Sequence, residues 1–113
     1  MPFLHTIVST KLDDAQRAHL TKAFKTICRE VFNKPEEFVM TAFNDETPMA
    51  FRDSTGPAAY IRVEVFGTYE PTDPAKATPA ITAVVTKECG IPADRIYILY
   101  YGTPHIGWNG VNL

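Results

Sequence analysis

Pro2 is the residue in this sequence best placed to do chemistry. It follows Met1 and leads into Phe3-Leu4-His5-Thr6-Ile7-Val8, an apolar, β-favouring run that reads as a strand and so carries the chain terminus into the folded body. With Met1 in place the Pro2 nitrogen is an amide and has no basic lone pair. With Met1 removed, as is common before a small second residue, it becomes a secondary amine fixed at the end of a strand. An ordinary α-amino group titrates at about 7.7 to 8.0, and burial or a neighbouring cation disfavours its charged form. A desolvated terminal proline is then a neutral amine at physiological pH, able to act as a base or a nucleophile. Taken by itself, Pro2 reads more simply as the opening of an edge strand, where a missing donor does no harm.

The other reactive side chains are dispersed. His5, His19 and His105 have no His-x-x-x-His spacing or carboxylate cluster around them, which gives a metal site no support. Cys28 and Cys89 lie in no metal-ligand or redox spacing, and each falls near the end of a predicted helix, so two free, mostly buried thiols are expected. Eleven Lys and Arg against thirteen Asp and Glu give a net charge of −2. The two signs are interspersed, with no basic block to grip phosphate backbones, so nucleic-acid binding is not expected. No apolar run approaches the length of about 20 residues that spans a bilayer. The N-terminus also lacks the cationic and long apolar segments of a signal peptide. Cytoplasmic synthesis is expected, and a role outside the cell would require secretion by a non-classical route.

The elements that must position Pro2 follow from periodicity. At 113 residues and 45% hydrophobic, the chain is expected to form one domain over 1–113. Asp13 and Gln16 have the form of a capping box, and Leu20, Ala23, Phe24, Ile27 and Val31 recur at spacings of three and four. A helix is predicted from there to Asn33, with Pro35 preventing its resumption. Strands are predicted at 38–43, 58–66 and 96–101, with short ones at 49–51 and 106–108. The second helix ends at Gly90. It either runs from Thr72 or Asp73 through Pro79, or starts at Thr78 with Pro79 in its first turn.

A shift of 57 positions aligns Phe3 with Tyr60, Pro35 with Pro92, and Val39 with Ile96. The chain therefore reads as a doubled β-α-β unit with pseudo-repeats of about 2–57 and 58–113. Right-handed crossovers place both helices on one face of a four-stranded sheet. The runs at 38–43 and 96–101 are nearly continuously apolar, as in strands buried on both sides. The face without helices therefore predicts a homo-oligomer, with the short strands extending neighbouring sheets.

Met1-Pro2 opening a strand, Asn33-Lys34-Pro35, Pro48-Met49-Ala50-Phe51, Pro92-Ala93-Asp94-Arg95-Ile96-Tyr97-Ile98-Leu99-Tyr100-Tyr101 and Gly107-Trp108-Asn109 occur in one order. In these the chain resembles the macrophage migration inhibitory factor family of the tautomerase superfamily, across essentially its whole length. Lys34-Pro35-Glu36 and Gly107-Trp108-Asn109-Gly110 are similar to the protozoan-parasite branch. The resemblance implies an α/β sandwich in which a four-stranded mixed sheet carries two helices and short interface strands. It further implies a homotrimer with active sites between subunits.

By that resemblance Pro2 is the general base of a cofactor-free tautomerisation of phenylpyruvate-type 2-keto acids or dopachrome. Lys34 binds the substrate carboxylate and helps keep the proline neutral. The backbone amide at Phe66 and a neighbouring subunit's Tyr97 complete the polar contacts, and Ile106 and Trp108 wall the apolar pocket. The residue chemistry agrees, since proton abstraction beside a carbonyl needs a neutral base, a donor for enolate charge and a cation for the acid end. Outside this context Lys34 reads as a helix C-terminal charge, and Tyr97 and Trp108 as core or interface aromatics.

The departures are informative. Ala58-Ala59-Tyr60-Ile61 stands where well-known members carry Cys-x-x-Cys, so thiol-disulfide activity is not expected. Leu99 replaces an asparagine that contacts substrate in those members, Phe3 is bulky, and Leu113 replaces a terminal aromatic. These changes reshape the pocket. The resemblance implies a MIF-like cytokine mimic as well as an enzyme; the alternative is a cytokine-like ligand of the family's host-cell receptor, the MHC class II invariant chain, with a weak or vestigial tautomerase site.

Overall fold

The computed structural model describes residues 1–67 and 69–113. Strand β1 (Pro2–Val8) leads into helix α1 (Asp14–Phe32), a 3-10 turn (Glu36–Phe38) and strand β2 (Met40–Asn44). The second half repeats this order with β3 (Ala59–Phe66), α2 (Asp73–Cys89), a 3-10 turn (Ala93–Arg95) and β4 (Ile96–Thr103). A small hairpin of β5 (Gly107–Trp108) and β6 (Val111–Asn112) follows.

The sheet order is β2-β1-β3-β4. β1 runs parallel to β2 and antiparallel to β3, and β3 is parallel to β4. Pro2 therefore opens a central strand, not the edge strand it suggests by itself. The first position of a strand tolerates its missing donor equally well.

Alternation decides which face is buried. Pro2, Leu4, Thr6 and Val8 on β1 and Ala59, Ile61, Val63 and Val65 on β3 are buried against the helices. α1 contributes Leu20, Phe24, Ile27, Cys28 and Phe32, and α2 contributes Ala77, Ile81 and Val85. Val31, expected on the α1 core face, is only partly buried. The predicted capping box is present, with the Gln16 N–H donating to Asp13 Oδ1 at 2.7 Å and the Asp13 N–H donating to Gln16 Oε1 at 2.9 Å.

α2 begins at Asp73 and runs through Pro79. Pro79 leaves the carbonyl of Ala75 without its helical donor, but both residues are exposed and water can replace the bond.

The opposite face carries no helix. Met40 on β2 is 66% exposed, and Tyr97, Leu99 and Tyr101 on β4 are 63%, 51% and 60% exposed. The apolar runs expected to be buried on both sides thus bury only one side within a single chain.

Strand ends shift by one or two residues, β4 reaching Thr103, and three segments differ in kind from the sequence reading. Phe38 belongs to the 3-10 turn before β2, because Pro35 at φ −60° starts a tight turn there. Within a single chain no strand forms at 49–51, the segment expected to extend a neighbouring sheet. Phe51 instead makes one bridge to Ser54 across a two-residue turn. The terminal strand excludes Ile106 and pairs with β6 through Asn109 and Gly110, both at positive φ. Among the described residues no helix is long and apolar enough to cross a membrane.

Candidate active site

The site is built from two chain turns that meet at Phe66. α1 ends at Asn33, whose left-handed backbone (φ 55°, ψ 42°) reverses the chain. The Lys34 N–H then donates to the Cys28 carbonyl at 3.1 Å. Asparagine tolerates this conformation better than most residues because its short polar side chain can bond locally. The turn aims the Lys34 side chain along the sheet, where its Nζ donates to the Phe66 carbonyl at 3.0 Å.

From the other side, antiparallel pairing of Pro2 with Val65 brings the start of β1 to the same strand end. The Phe66 N–H donates to the Met1 carbonyl at 3.3 Å. Both backbone polar groups of Phe66 are therefore engaged, one by the chain terminus and the other by the lysine. Pro2 itself is fully buried.

The electrostatics follow from this packing. The chain-terminal amine is held below the ordinary α-amino range, first by burial and second by the Lys34 ammonium. Burial pushes the Cys28 thiol up to about 12 and the Cys89 thiol up to about 11. Cys28 is consequently an uncharged neighbour of the amine at physiological pH and a poor nucleophile.

An aromatic wall stands at this end of the sheet. The pairing of Phe3 with Met40 places Phe38 two residues ahead, level with the start of β1. The ring of Phe38 meets that of Trp108 edge-on at 5.8 Å and 80°. Both rings are partly exposed. Ile106 anchors the hairpin that carries Trp108, its carbonyl accepting from the Leu113 N–H at 2.9 Å. Phe32, Tyr69 and Tyr100 pack near one another behind the site, with centroids 5.9 and 6.1 Å from Phe32.

Pro2, Lys34 and Phe66 thus come together in one chain, with Trp108 and Ile106 on the nearby hairpin. Tyr97 does not join them. It pairs with Tyr60, whereas the start of β1 is level with Val65 and Gly102. Five residues of strand separate the two levels, roughly 16 Å at about 3.3 Å per residue. Tyr97 packs instead against Phe51, at 5.3 Å and 69°.

Sequence reasoning missed two contributors. The apolar run at 38–43 reads Phe38 into a strand, although Pro35 followed by Glu36 and Glu37 signals a turn that frees it. Arg95, which fixes Phe51, gave no local sign because its partners lie some forty positions away. Among the described residues, no three His, Cys, Asp or Glu side chains gather where they could hold a metal ion.

Comparison with known proteins agrees in sequence and in shape. The family model described as macrophage migration inhibitory factor (MIF) matches residues 1–113. The macrophage migration inhibitory factor of Xenopus laevis is 33% identical over 79 residues, covering 68% of this chain and 69% of that protein. The crystal structure of Leishmania major MIF2 is 61% identical with a TM-score of 0.96, covering 100% of this chain and 97% of that one. The structure of the Prochlorococcus marinus homologue is 28% identical with a TM-score of 0.89, covering 97% of each chain.

Proposed function

The chain belongs to the macrophage migration inhibitory factor family, and from that premise we propose that it is a cofactor-free keto-enol tautomerase of the phenylpyruvate or dopachrome type. The observation that carries this reading is the meeting of the chain terminus and the Lys34 ammonium on the backbone of Phe66, in an environment that disfavours a protonated amine.

Removal of Met1 changes two things at once. It turns the Pro2 nitrogen from an amide into a secondary amine, and it releases the Phe66 N–H that the Met1 carbonyl occupied. The Lys34 ammonium then holds the carboxylate of a small aromatic 2-keto acid, whose ring lies against Phe38, Ile106 and Trp108. The Pro2 lone pair takes the proton from the carbon beside the ketone. That C–H bond breaks, an N–H bond forms, and the electron pair moves onto the carbonyl oxygen. A phenolic or backbone donor stabilises the resulting charge. The ammonium of Pro2 returns its proton to that oxygen, giving the enol and restoring the neutral amine.

Tyr97 supplies the phenol in a homotrimer, from an adjacent copy whose uncovered sheet face packs on this one. Its distance from Pro2 in its own chain and its exposure both fit presentation to a neighbour.

A second reading is a cytokine-like ligand on an inherited enzyme fold, meeting a host receptor such as the invariant chain. It is favoured by Leu99, which stands where well-known members carry an asparagine that contacts substrate.

The deciding experiment combines intact mass with phenylpyruvate tautomerisation on wild type and Pro2→Gly. The expected result is loss of one methionine and a wild-type rate that falls by about 100-fold or more in the variant, as for removal of a general base. A processed wild type without turnover overturns the enzyme reading and leaves receptor binding, which should then survive Pro2→Gly.

A further inference from the structure

We infer that Arg95 is a positioning residue for Tyr97, acting through Phe51 and the turn at 51–57; this rests on the tautomerase reading, in which Tyr97 serves an adjacent copy.

The guanidinium of Arg95 lies inside that turn. Its Nε donates to the Pro57 carbonyl and its Nη1 to the Phe51 carbonyl, both at 2.8 Å. Its Nη2 donates to the carbonyls of Ser54 and Gly56, at 3.2 and 3.1 Å. One side chain thereby gathers four carbonyls from a stretch of seven residues. A planar fork with five N–H donors can do this, whereas an ammonium on a flexible stem cannot.

The turn needs such a clamp. Arg52 and Asp53 at its tip both have left-handed backbone, φ 53° and 55°, without being glycine. Strain of this kind persists where the surroundings over-determine it. The reciprocal bonds between Phe51 and Ser54, at 2.9 and 3.1 Å, close the turn from within. The longer Arg52–Asp94 pair at 3.3 Å is exposed at both ends and adds little.

The clamp's product is the placement of Phe51. The guanidinium carbon stands 5.5 Å from the centre of the Phe51 ring, and that ring meets Tyr97 edge-on. Tyr97 otherwise has room to turn. A hollow of about 130 Å³ beside it is lined by Met49, Ala50, Ala58 and Tyr60 as well as by Phe51 and Arg95. With the Phe51 ring released, the phenol has no fixed direction toward a neighbouring subunit.

The test uses processed protein carrying Arg95→Met, Arg95→Lys, Phe51→Leu and Tyr97→Phe, each checked for intact assembly and melting temperature. Arg95→Met should lower kcat by about tenfold with KM little changed, because only a contact made in the transition state is lost. Arg95→Lys should not rescue it. Phe51→Leu, which leaves the clamped backbone in place, should behave like Arg95→Met. In a Tyr97→Phe background, Arg95→Met should cost nothing further. Additive losses in that cycle, or full activity in Arg95→Met, overturn the inference.

A wild type without turnover is instead a failure of the tautomerase reading. The role of Arg95 is then decided by NMR, where Tyr97 ring resonances should move in folded Arg95→Met. Unchanged resonances overturn it.

Discussion

After α1 the chain turns through Asn33-Lys34-Pro35, and after α2 it turns through Gly90-Ile91-Pro92. The backbones correspond closely. Asn33 and Gly90 are both left-handed, at φ 55° and 69°, and each proline opens a 3-10 turn into a strand. The side chains do not correspond. Lys34 sends its ammonium to Phe66, whereas Ile91 is fully buried in the core. The same shift sets Phe38, on the aromatic wall, against Arg95, inside the clamp.

Because β1 and β3 are antiparallel, the two turns lie at opposite ends of the sheet. A duplicated frame thus provides two similar ends, and a few side chains give one of them a charged site and the other a sealed core with a presented tyrosine.

Exchanging these residues should break the comparison most forcefully at Ile91. Ile91→Lys puts an unpaired cation where no partner waits, and should destabilise the fold by about 3–5 kcal/mol, read as a fall in the chemical-denaturation midpoint at unchanged slope. A stable Ile91→Lys protein would mean that the second turn is as open as the first.

The reciprocal exchange, Lys34→Ile, should leave the fold nearly intact and lower kcat/KM for phenylpyruvate by about 10- to 100-fold, the range for a bond to a charged group. It also has a signature in pH. Lys34 is the second cause holding the terminal amine below its usual range, and the same cause acts on Pro2 once Met1 is gone. Without the cation the amine keeps its proton to higher pH, and a base works only when neutral. The acid limb of kcat/KM against pH should therefore move upward, and an unmoved limb would assign Lys34 to substrate binding alone.

The smallest effect is a recovery. Pro2→Gly and Tyr97→Phe subunits, each deficient alone, should regain activity when refolded together, since random assembly gives about a quarter of the interfaces an intact Pro2 and an intact Tyr97. No recovery would mean that Tyr97 does not act across subunits.

Much of this was legible locally. The capping box, the apolar spacing of α1 and the left-handed stop at Asn33 are short-range signals, and each sits where the structure has it. The segment at 49–51 pairs with no strand within the chain, and its expected partner is the sheet of a neighbouring copy, which local sequence does not display. The β5–β6 hairpin has a strong local signal in Asn109-Gly110, with φ 52° and 79° matching a primed turn, but its two-residue strands are too short for an alternating pattern. Pro2, Lys34 and Phe66 could be named by resemblance. Their meeting depends on β1 inserting between β2 and β3, a long-range pairing that no window of sequence displays. Arg95 escaped for the same reason.

The bare face has a consequence for handling the protein. β2 and β4 are the outer strands of the sheet, and both carry large exposed apolar side chains. An unpaired apolar edge is a template for joining another chain. A subunit separated from its assembly should therefore precipitate instead of persisting as a soluble monomer. A substitution that weakens association would then show itself as poor recovery of protein, with the fold of each subunit unharmed.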